Sequence, residues 1–531
     1  MKDVPVVIVG GGPVGLTASI LLSQAGIGSM LVERHAGTAV HPKARAINGR
    51  TMEIYRQCGV EAAIRSAGLP LNHTGMIIWA RTLAGEEIER RVPWRASQQA
   101  GAVSPVRNCL CAQDDLEPVL RAFAEQQGLG ELKFSTEAVA FEQEADGVIV
   151  VLENRASGEK QTVGTTYVIA ADGAHSRIRQ QLGTRMLGRP DVYYSINILF
   201  NADLRPWTAH RPAAIYFIEN DRIRGSFLTI NARDRWAFLP SAMGAFGLSA
   251  ENMTPERATD IIKQAAGVPD LAVKILGIVP WTASAHVAEQ YRYGRIFLAG
   301  DAAHEMPPTG GFGMNTGVED VHNLVWKLAA VLKGLASPSL LDTYHDERQP
   351  VARAITEQSL INATSMGRLE ETKKNADARP EYLNEQGMIF GATYTSRAIV
   401  PDGTKAPHVA DPVTDYVPSA RPGARAPHVF FQRAGAQIST IDVVGNGFVL
   451  LTAGDGRIWA EAACELANDH SLPLKTETID DEAFMSAYDL DRSGAVLVRP
   501  DGYVGWRSRA MTSEPAHTLR ETISTILGRV N

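Results

Sequence analysis

The glycine spacing near the N-terminus constrains this chain more than any other feature. Residues 5–10 read Pro-Val-Val-Ile-Val-Gly, a β-branched run without polar alternation, as a parallel strand covered on both faces reads. Gly10-x-Gly12-x-x-Gly15 follows, then a helical stretch from Leu16 to Gln24 closed by Gly26, then a second strand from Ser29 to Val32 that ends at Glu33. The first glycine permits the tight turn, the second lets a pyrophosphate approach the backbone, and the third lets helix and strand pack closely. The helix N-terminal amides then face the phosphates. Glu33 stands eighteen residues beyond Gly15, where a carboxylate accepts hydrogen bonds from a ribose and disfavours a 2′-phosphate. By itself GxGxxG is weak; strand, helix and acidic strand end together make a dinucleotide site, which fits NAD and FAD equally.

At 531 residues, with roughly 150 per domain, about three domains are expected. Hydrophobic residues at 45% and charged ones at 21% exclude disorder. The net charge of −7 and the lack of a basic block argue against a nucleic-acid surface. Cys58, Cys109, Cys111 and Cys464 form no Cys-x-x-Cys and no zinc spacing, which excludes a disulfide scaffold and leaves no metal site. They read as buried small hydrophobes. No apolar run reaches the roughly 18 residues of a membrane span. Met1-Lys2-Asp3-Val4-Pro5 leads into a strand rather than a signal peptide, so a soluble cytoplasmic protein is expected.

A second constellation runs from Gly294-Arg295-Ile-Phe-Leu-Ala-Gly300-Asp301-Ala-Ala-His304 through Pro307-Pro308-Thr-Gly310-Gly311-Phe-Gly313-Met314-Asn315-Thr316-Gly317. It reads as an apolar strand ending in Asp301, a double-proline corner, and a glycine loop opening a helix over about 316–332. Successive amides near a helix N-terminus make a site for a developing anion. A third piece, Ala170-Ala-Asp172-Gly173-Ala-His-Ser176-Arg177-Ile-Arg179, is again a strand end, a turn and a basic helix start.

Together these three pieces resemble the single-component (class A) FAD-dependent aromatic hydroxylases, in the branch of phenol hydroxylases, chlorophenol monooxygenases and polyketide hydroxylases. The resemblance spans about residues 5–360, and His345, Glu347 and Arg348 resemble the segment that closes the family's cofactor domain. It implies non-covalent FAD, with Gly10, Gly12, Gly15 and Glu33 on the ADP half and Arg34 nearby. Asp301 would contact the ribityl or pyrophosphate region, and Gly311, Gly313, Met314 and Asn315 the isoalloxazine edge. Arg45 and Gln113 match positions that approach the flavin, and Asp172, Gly173 and Arg179 belong to a motif serving FAD and transient NAD(P)H. Arg45 and the Pro308 backbone carbonyl are the candidates for the catalytic side. The implied reaction uses NAD(P)H and O2, and hydroxylates an electron-rich phenolic or polycyclic ring through a flavin C4a-hydroperoxide. Epoxidation or Baeyer–Villiger insertion on the same scaffold is the alternative; a flavin reductase or a flavin-binding module without turnover fits less well. The Gly-Trp-x-Trp-x-Ile-Pro element of flavin halogenases is absent.

The expected fold is α/β: a discontinuous Rossmann-like FAD domain, an inserted, mainly antiparallel sheet domain, and a C-terminal thioredoxin-like domain. The FAD domain takes 1–184 and 279–363, with 72–106 as candidates for the inserted layer; the sheet domain takes 185–278. Residues 364–425, rich in Pro, Gly and charge, read as a helical extension and linker, and 426–531 as the third domain. Val498 to Arg507 carries the third domain's resemblance. With Cys464 as its only cysteine, dithiol exchange is excluded, leaving packing or an oligomer interface, with a homodimer as the candidate assembly. Tyr216, Phe217, Phe227, Trp236 and Phe238 could wall an aromatic pocket, but alternating strand aromatics usually build a core. His304 reads as structural beside the flavin; His41 and His286 stay open.

Overall fold

A computed structural model describes residues 2–92, 100–365, 384–445, 447–470 and 472–529. The glycine motif sits where its neighbours require. Lys2–Val9 lies between Lys160–Ala170 and Ser29–Val32, and Ile296–Leu298 and Gly130–Lys133 extend the sheet on either side, all in parallel. Val6, Val7 and Ile8 are fully buried, as a run apolar on both faces demands. Helix Pro13–Gln24 starts with Pro13 at its first position, where the fixed φ suits a helix and no amide is lost. It packs under helix Gly313–Leu332, whose first four turns are almost wholly buried. The segments before and after the inserted sheet therefore share one core.

The second sheet has eight strands, in the order His304–Glu305, Lys274–Ala288, Met186–Asn201, Arg235–Pro240, Arg224–Thr229, Ile215–Glu219, Ile77–Ala80, Glu87–Arg91. All neighbours are antiparallel except Ile215–Glu219 with Ile77–Ala80. Chain from 77–91 thus completes the inserted layer, and residues 93–99 of that expected stretch lie outside the described residues. One face of the sheet holds Ile196, Ile198, Phe200, Tyr216, Phe227, Trp236 and Phe238 against helix Pro255–Ala266. Each such side chain, fully buried, contributes about 1.5–3 kcal/mol.

Helix Thr343–Ser365 runs into residues 366–383, which lie outside the described residues, so most of the expected helical extension is not described. Between 384 and 425 the only helix among the described residues is Gln386–Phe390, and the rest is irregular. The last unit orders its strands Leu474–Ile479, Phe448–Ala453, Ala495–Val498, Val504–Ser508. The first two are parallel and the later pairings antiparallel, with helices Arg457–His470, Glu482–Tyr488 and Pro515–Ile526 between and after them. That is the thioredoxin-like chain order. Its hairpin turn docks through buried charge: Arg499 donates to Glu347 at 2.7 and 2.8 Å, Lys327 Nζ donates to the same carboxylate at 2.8 Å, and Asn323 bridges Glu347 and Asp501. Cys58, Cys109 and Cys111 are buried, while Cys464, expected inside, is exposed on a helix.

Candidate functional site

One cavity of about 1660 Å³ extends from the C-terminal ends of Lys2–Val9 and Ser29–Val32 to the face of the antiparallel sheet opposite its core. At the first end, Gly10 has φ +112° and a Cβ there would lie 2.1 Å from the Ala171 carbonyl oxygen. A Cβ on Gly15 would lie 1.9 Å from the Gly10 oxygen; Gly15 is not on the wall and works by letting helix and strand touch. A Cβ on Gly12 would find nothing nearer than Glu117 Oε1 at 4.0 Å. The loop is therefore crowded on its protein side and open on its cavity side, as an anion cradle must be. Glu33 Oε2 accepts from Gly11 N at 2.7 Å and Oε1 from His35 N at 2.9 Å, fixing the carboxylate at the cavity edge beside exposed Arg34.

Asp172 and Gly173, the latter at φ +83°, reach the wall beside this loop. Ser176 Oγ donates to Asp172 Oδ1 at 2.5 Å, and burial raises the Asp172 carboxyl above the usual range. Arg179 takes a different place from the one the resemblance implied. It is not on the wall; it donates to the carbonyls of Asp301 at 3.2 Å, Ala302 at 3.3 Å and Ala174 at 2.6 Å, and so ties two loops together. Asp301 opens into the cavity while protein encloses it. That enclosure raises its carboxyl, with His304, Lys43 and Arg179 opposing. Its loop is anchored by Asp320, which accepts from Gly300 N at 3.1 Å, His304 Nε2 at 2.7 Å and Arg348 Nε at 2.9 Å. Burial alone would raise Asp320; its partners His304 and Arg348 overcome it and hold the carboxyl low. His304 is fully buried and serves this anchor.

Pro308 stands open on the wall, and its carbonyl accepts from Gly311 N at 3.0 Å, so one of its lone pairs closes the turn. Gly310 and Gly311 take φ of +113° and +66°, conformations that glycine adopts without strain. Gly311, Gly313 and Met314 line the cavity at the N-terminus of helix Gly313–Leu332. That helix has no acidic residue in its first turn, leaving its positive end unopposed. Asn315 departs from the expected isoalloxazine contact. It is buried off the wall, donating to the carbonyls of Gly311 at 2.6 Å and Ala46 at 2.9 Å and accepting from Asn48 N at 3.0 Å. A side chain in the first turn of a helix points back along it, and here it meets backbone.

Arg45 lines the cavity between the two sheets and donates to the Thr229 carbonyl at 3.2 Å. Gln113 Nε2 donates to Glu117 Oε1 at 2.6 Å. Glu117, absent from the sequence reading, is buried on the wall, accepts from Ala39 N at 2.6 Å and is raised by burial. Its position four residues after Gln113 was the available signal. Lys43 and Arg107 also line the cavity and were not singled out.

At the far end strand alternation separates neighbours. Phe217, Ser226, Leu228, Ala237 and Leu239 face the cavity, while Tyr216, Phe227, Trp236 and Phe238 face the core. Of the five candidate aromatics only Phe217 is on the wall, stacked on Trp79 at 5.1 Å; Tyr193 and Trp281 add an edge-to-face pair at 5.7 Å. His286 bonds Glu305 at 3.0 Å. His41 lies on the wall, but its Nε2 is buried and its Nδ1 lies against Gly277. Burial lowers its pKa.

These residues fit FAD: an open-sided glycine cradle, an acidic strand end, and a second helix N-terminus toward the middle of one continuous cavity. The chain matches the FAD binding domain over residues 3–359 and the aromatic-ring hydroxylase C-terminal domain over 419–530. It is 38% identical to 4-methyl-5-nitrocatechol 5-monooxygenase of a Burkholderia species, covering 99% of this chain and 98% of that protein. It is 37% identical to the tetracenomycin A2 monooxygenase-dioxygenase of Streptomyces glaucescens, over 100% of this chain and 98% of that one. The solved structure of the flavin-dependent monooxygenase PieE, in complex with FAD and substrate, superposes with a TM-score of 0.90 at 34% identity, covering 99% of both chains. With its glycine cradle, its aromatic-lined cavity and its thioredoxin-like unit, the chain belongs to the FAD-dependent aromatic-ring hydroxylases.

Proposed function

We propose that this monooxygenase uses NAD(P)H and O2 to hydroxylate a multi-ring phenolic compound rather than a single-ring phenol. The observation that carries the reading is the cavity volume of about 1660 Å³. A site for one drug-sized ligand takes about 300–1,000 Å³, so the cavity has room for FAD together with a ring system of several rings. The named substrates of relatives include both tetracenomycin A2 and 4-methyl-5-nitrocatechol, so the cavity, not the relatives, carries the choice of size. The hydroxylase reading also accounts for a large apolar wall that a flavin reductase or a flavin-binding module would not use.

In this proposal Gly10, Gly12 and Glu33 hold the ADP half, with Arg34 beside it and Gly15 setting the loop's approach to the helix. Asp301, Asp172 and Gly173 face the middle of the cofactor. The amides of Gly313 and Met314, at the helix N-terminus, would meet the ring edge where negative charge develops, and the helix dipole would favour that charge; Gly311, whose own N–H closes the turn onto Pro308, would let the loop come close to that edge. Asn315 acts on the flavin only through the loop it braces. Bound FAD, reduced by NAD(P)H, supplies the activation of O2 for hydroxyl transfer. Arg45, held by the Thr229 carbonyl, stands where it can favour phenolate character in a substrate ring. The second lone pair of the Pro308 carbonyl can accept from a substrate hydroxyl. Phe217, Leu228 and Leu239 hold the ring plane and exclude water, which strengthens each of these polar contacts.

We extend the proposal to a cytoplasmic enzyme, since all four cysteines are free, as reducing compartments favour. No helix among the described residues is long and apolar enough to cross a membrane. The test is a series of one-, two-, three- and four-ring phenols offered to the FAD-loaded enzyme, reading kcat/KM and hydroxylated product. Rising kcat/KM with ring number supports the reading; highest turnover on a one-ring phenol contradicts it.

A further inference from the structure

Of the lysine and arginine side chains on the cavity wall, all but one are either paired or belong to the cofactor end. Arg177 is paired with Glu137 and Arg45 with the Thr229 carbonyl. Arg34 adjoins Glu33, and Lys43 acts electrostatically on Asp301 and Glu117, so both belong to the cofactor end. Arg107 fits neither description. It is exposed and lies on the wall of the same cavity, and among the described residues its guanidinium has no hydrogen-bond or ion-pair partner.

Its direction is built into the backbone. Val106 and Cys109 are buried, and Cys109–Leu110 pairs with Ala46–Ile47, the two residues after Arg45. Arg65, itself held by Glu61 at 2.7 Å, donates to the Arg107 carbonyl at 2.6 Å and the Asn108 carbonyl at 3.3 Å. The main chain is thus held by Arg65 while the guanidinium stays without a protein partner among the described residues. An exposed guanidinium is solvated by water. A bound ring system would displace that water, and an unpaired charge against an apolar ligand is unfavourable. A ligand that brings its own anionic oxygens removes the penalty, and a planar guanidinium matches a carboxylate through two parallel hydrogen bonds.

We infer that Arg107 is the recognition point for a carboxylate on the substrate, which makes the substrate an aromatic acid of several rings. This rests on the ring-hydroxylase reading given above and adds to it the charge and the anchoring residue. The test is calorimetric titration of the FAD-loaded enzyme with a dihydroxyanthraquinone and with the same compound carrying one carboxylate. A charge-assisted contact of this kind corresponds to about 10- to 100-fold in affinity. The wild type is expected to prefer the acid by that factor, Arg107→Gln to lose the preference, and Arg107→Lys to keep part of it, all with unchanged FAD content. Equal affinities in the wild type, or a preference that survives Arg107→Gln, would overturn the inference. If neither compound binds and neither stimulates NAD(P)H oxidation, the multi-ring reading fails and takes this inference with it; binding of the neutral compound without preference overturns the role of Arg107 alone.

Discussion

Two alanine substitutions in the glycine motif, at Gly12 and at Gly15, are expected to fail in opposite ways. Gly12 has an ordinary extended backbone, φ −76° and ψ −176°, and an added Cβ meets no atom within contact distance. In the FAD-free protein Gly12→Ala therefore costs at most about 1 kcal/mol, a small cap loss set against the reduced freedom of the unfolded chain. The same methyl occupies the surface on which a pyrophosphate would lie. Losing one charged amide contact there is worth about 1.5–3 kcal/mol, or about 10- to 150-fold in FAD affinity. Gly15→Ala places its methyl 1.9 Å from a backbone oxygen, and no rotamer relieves that. It opens the strand–helix junction and costs at least the upper part of the roughly 1–3 kcal/mol range of overpacked cores, a large share of the roughly 5–15 kcal/mol available to a domain. Thermal melting of deflavinated protein and titration with FAD by fluorescence separate the two. Gly12→Ala should melt as the wild type does and bind FAD weakly; Gly15→Ala should melt early even without FAD. Wild-type FAD affinity in Gly12→Ala would refute the assignment of that loop as the phosphate cradle.

Three further outcomes follow from burial. His322 is buried and its pKa falls to about 3, first through burial and then through Arg50, so it is neutral when folded and takes up a proton near pH 6.5 when unfolded. Stability from this group is full above about pH 6.5 and is lost as pH falls toward about 3, with a slope of up to about 1.4 kcal/mol per pH unit. His322→Asn should flatten the acid limb of a stability–pH curve by about that slope, and an unchanged limb would count against the burial argument. Thiol titration of the native protein should find one fast group, Cys464, because burial pushes Cys58 up to about 12 and Cys109 up to about 11; a second fast thiol would contradict the packing. Leu228→Trp adds bulk on the cavity face of the sheet and should raise KM for a multi-ring phenol about tenfold or more while leaving FAD content unchanged. Steady-state kinetics checks it, and an unchanged KM would place the substrate elsewhere.

What the chain disclosed by itself was whatever one stretch of backbone determines. Ser29–Val32 has the limits read for the second strand, and the Asp301 loop ends its strand and opens its helix in order, because turn, cap and strand are settled by adjacent residues. Pairings between distant segments were less legible. Ile77–Ala80 joins Ile215–Glu219 and His304–Glu305 joins Lys274–Ala288, and no local pattern announces either. Facing was ambiguous for a physical reason: both sides of the large sheet are apolar, one a core and the other a cavity wall, so alternation could not separate Phe217 from Tyr216. Asn315 and Arg179 were read as cofactor contacts from their motifs. Their side chains instead satisfy buried carbonyls, a demand visible only once the loops are packed. The docking charges are half legible: Glu347 stands in the segment that closes the cofactor domain and Arg499 inside the third domain's matching stretch, but no local pattern announces their pairing across 152 residues.

The central claim, that this cavity couples FAD reduction to oxygen transfer onto an aromatic ring, is tested most directly in a stopped-flow cell. Flavin reduction by NAD(P)H is followed without oxygen, in the presence and absence of a multi-ring phenol, and the product is then collected under isotopically labelled dioxygen. The phenol is expected to accelerate reduction, and one labelled oxygen atom is expected on its ring. Reduction indifferent to every phenol, with all the oxygen recovered as peroxide, would contradict it.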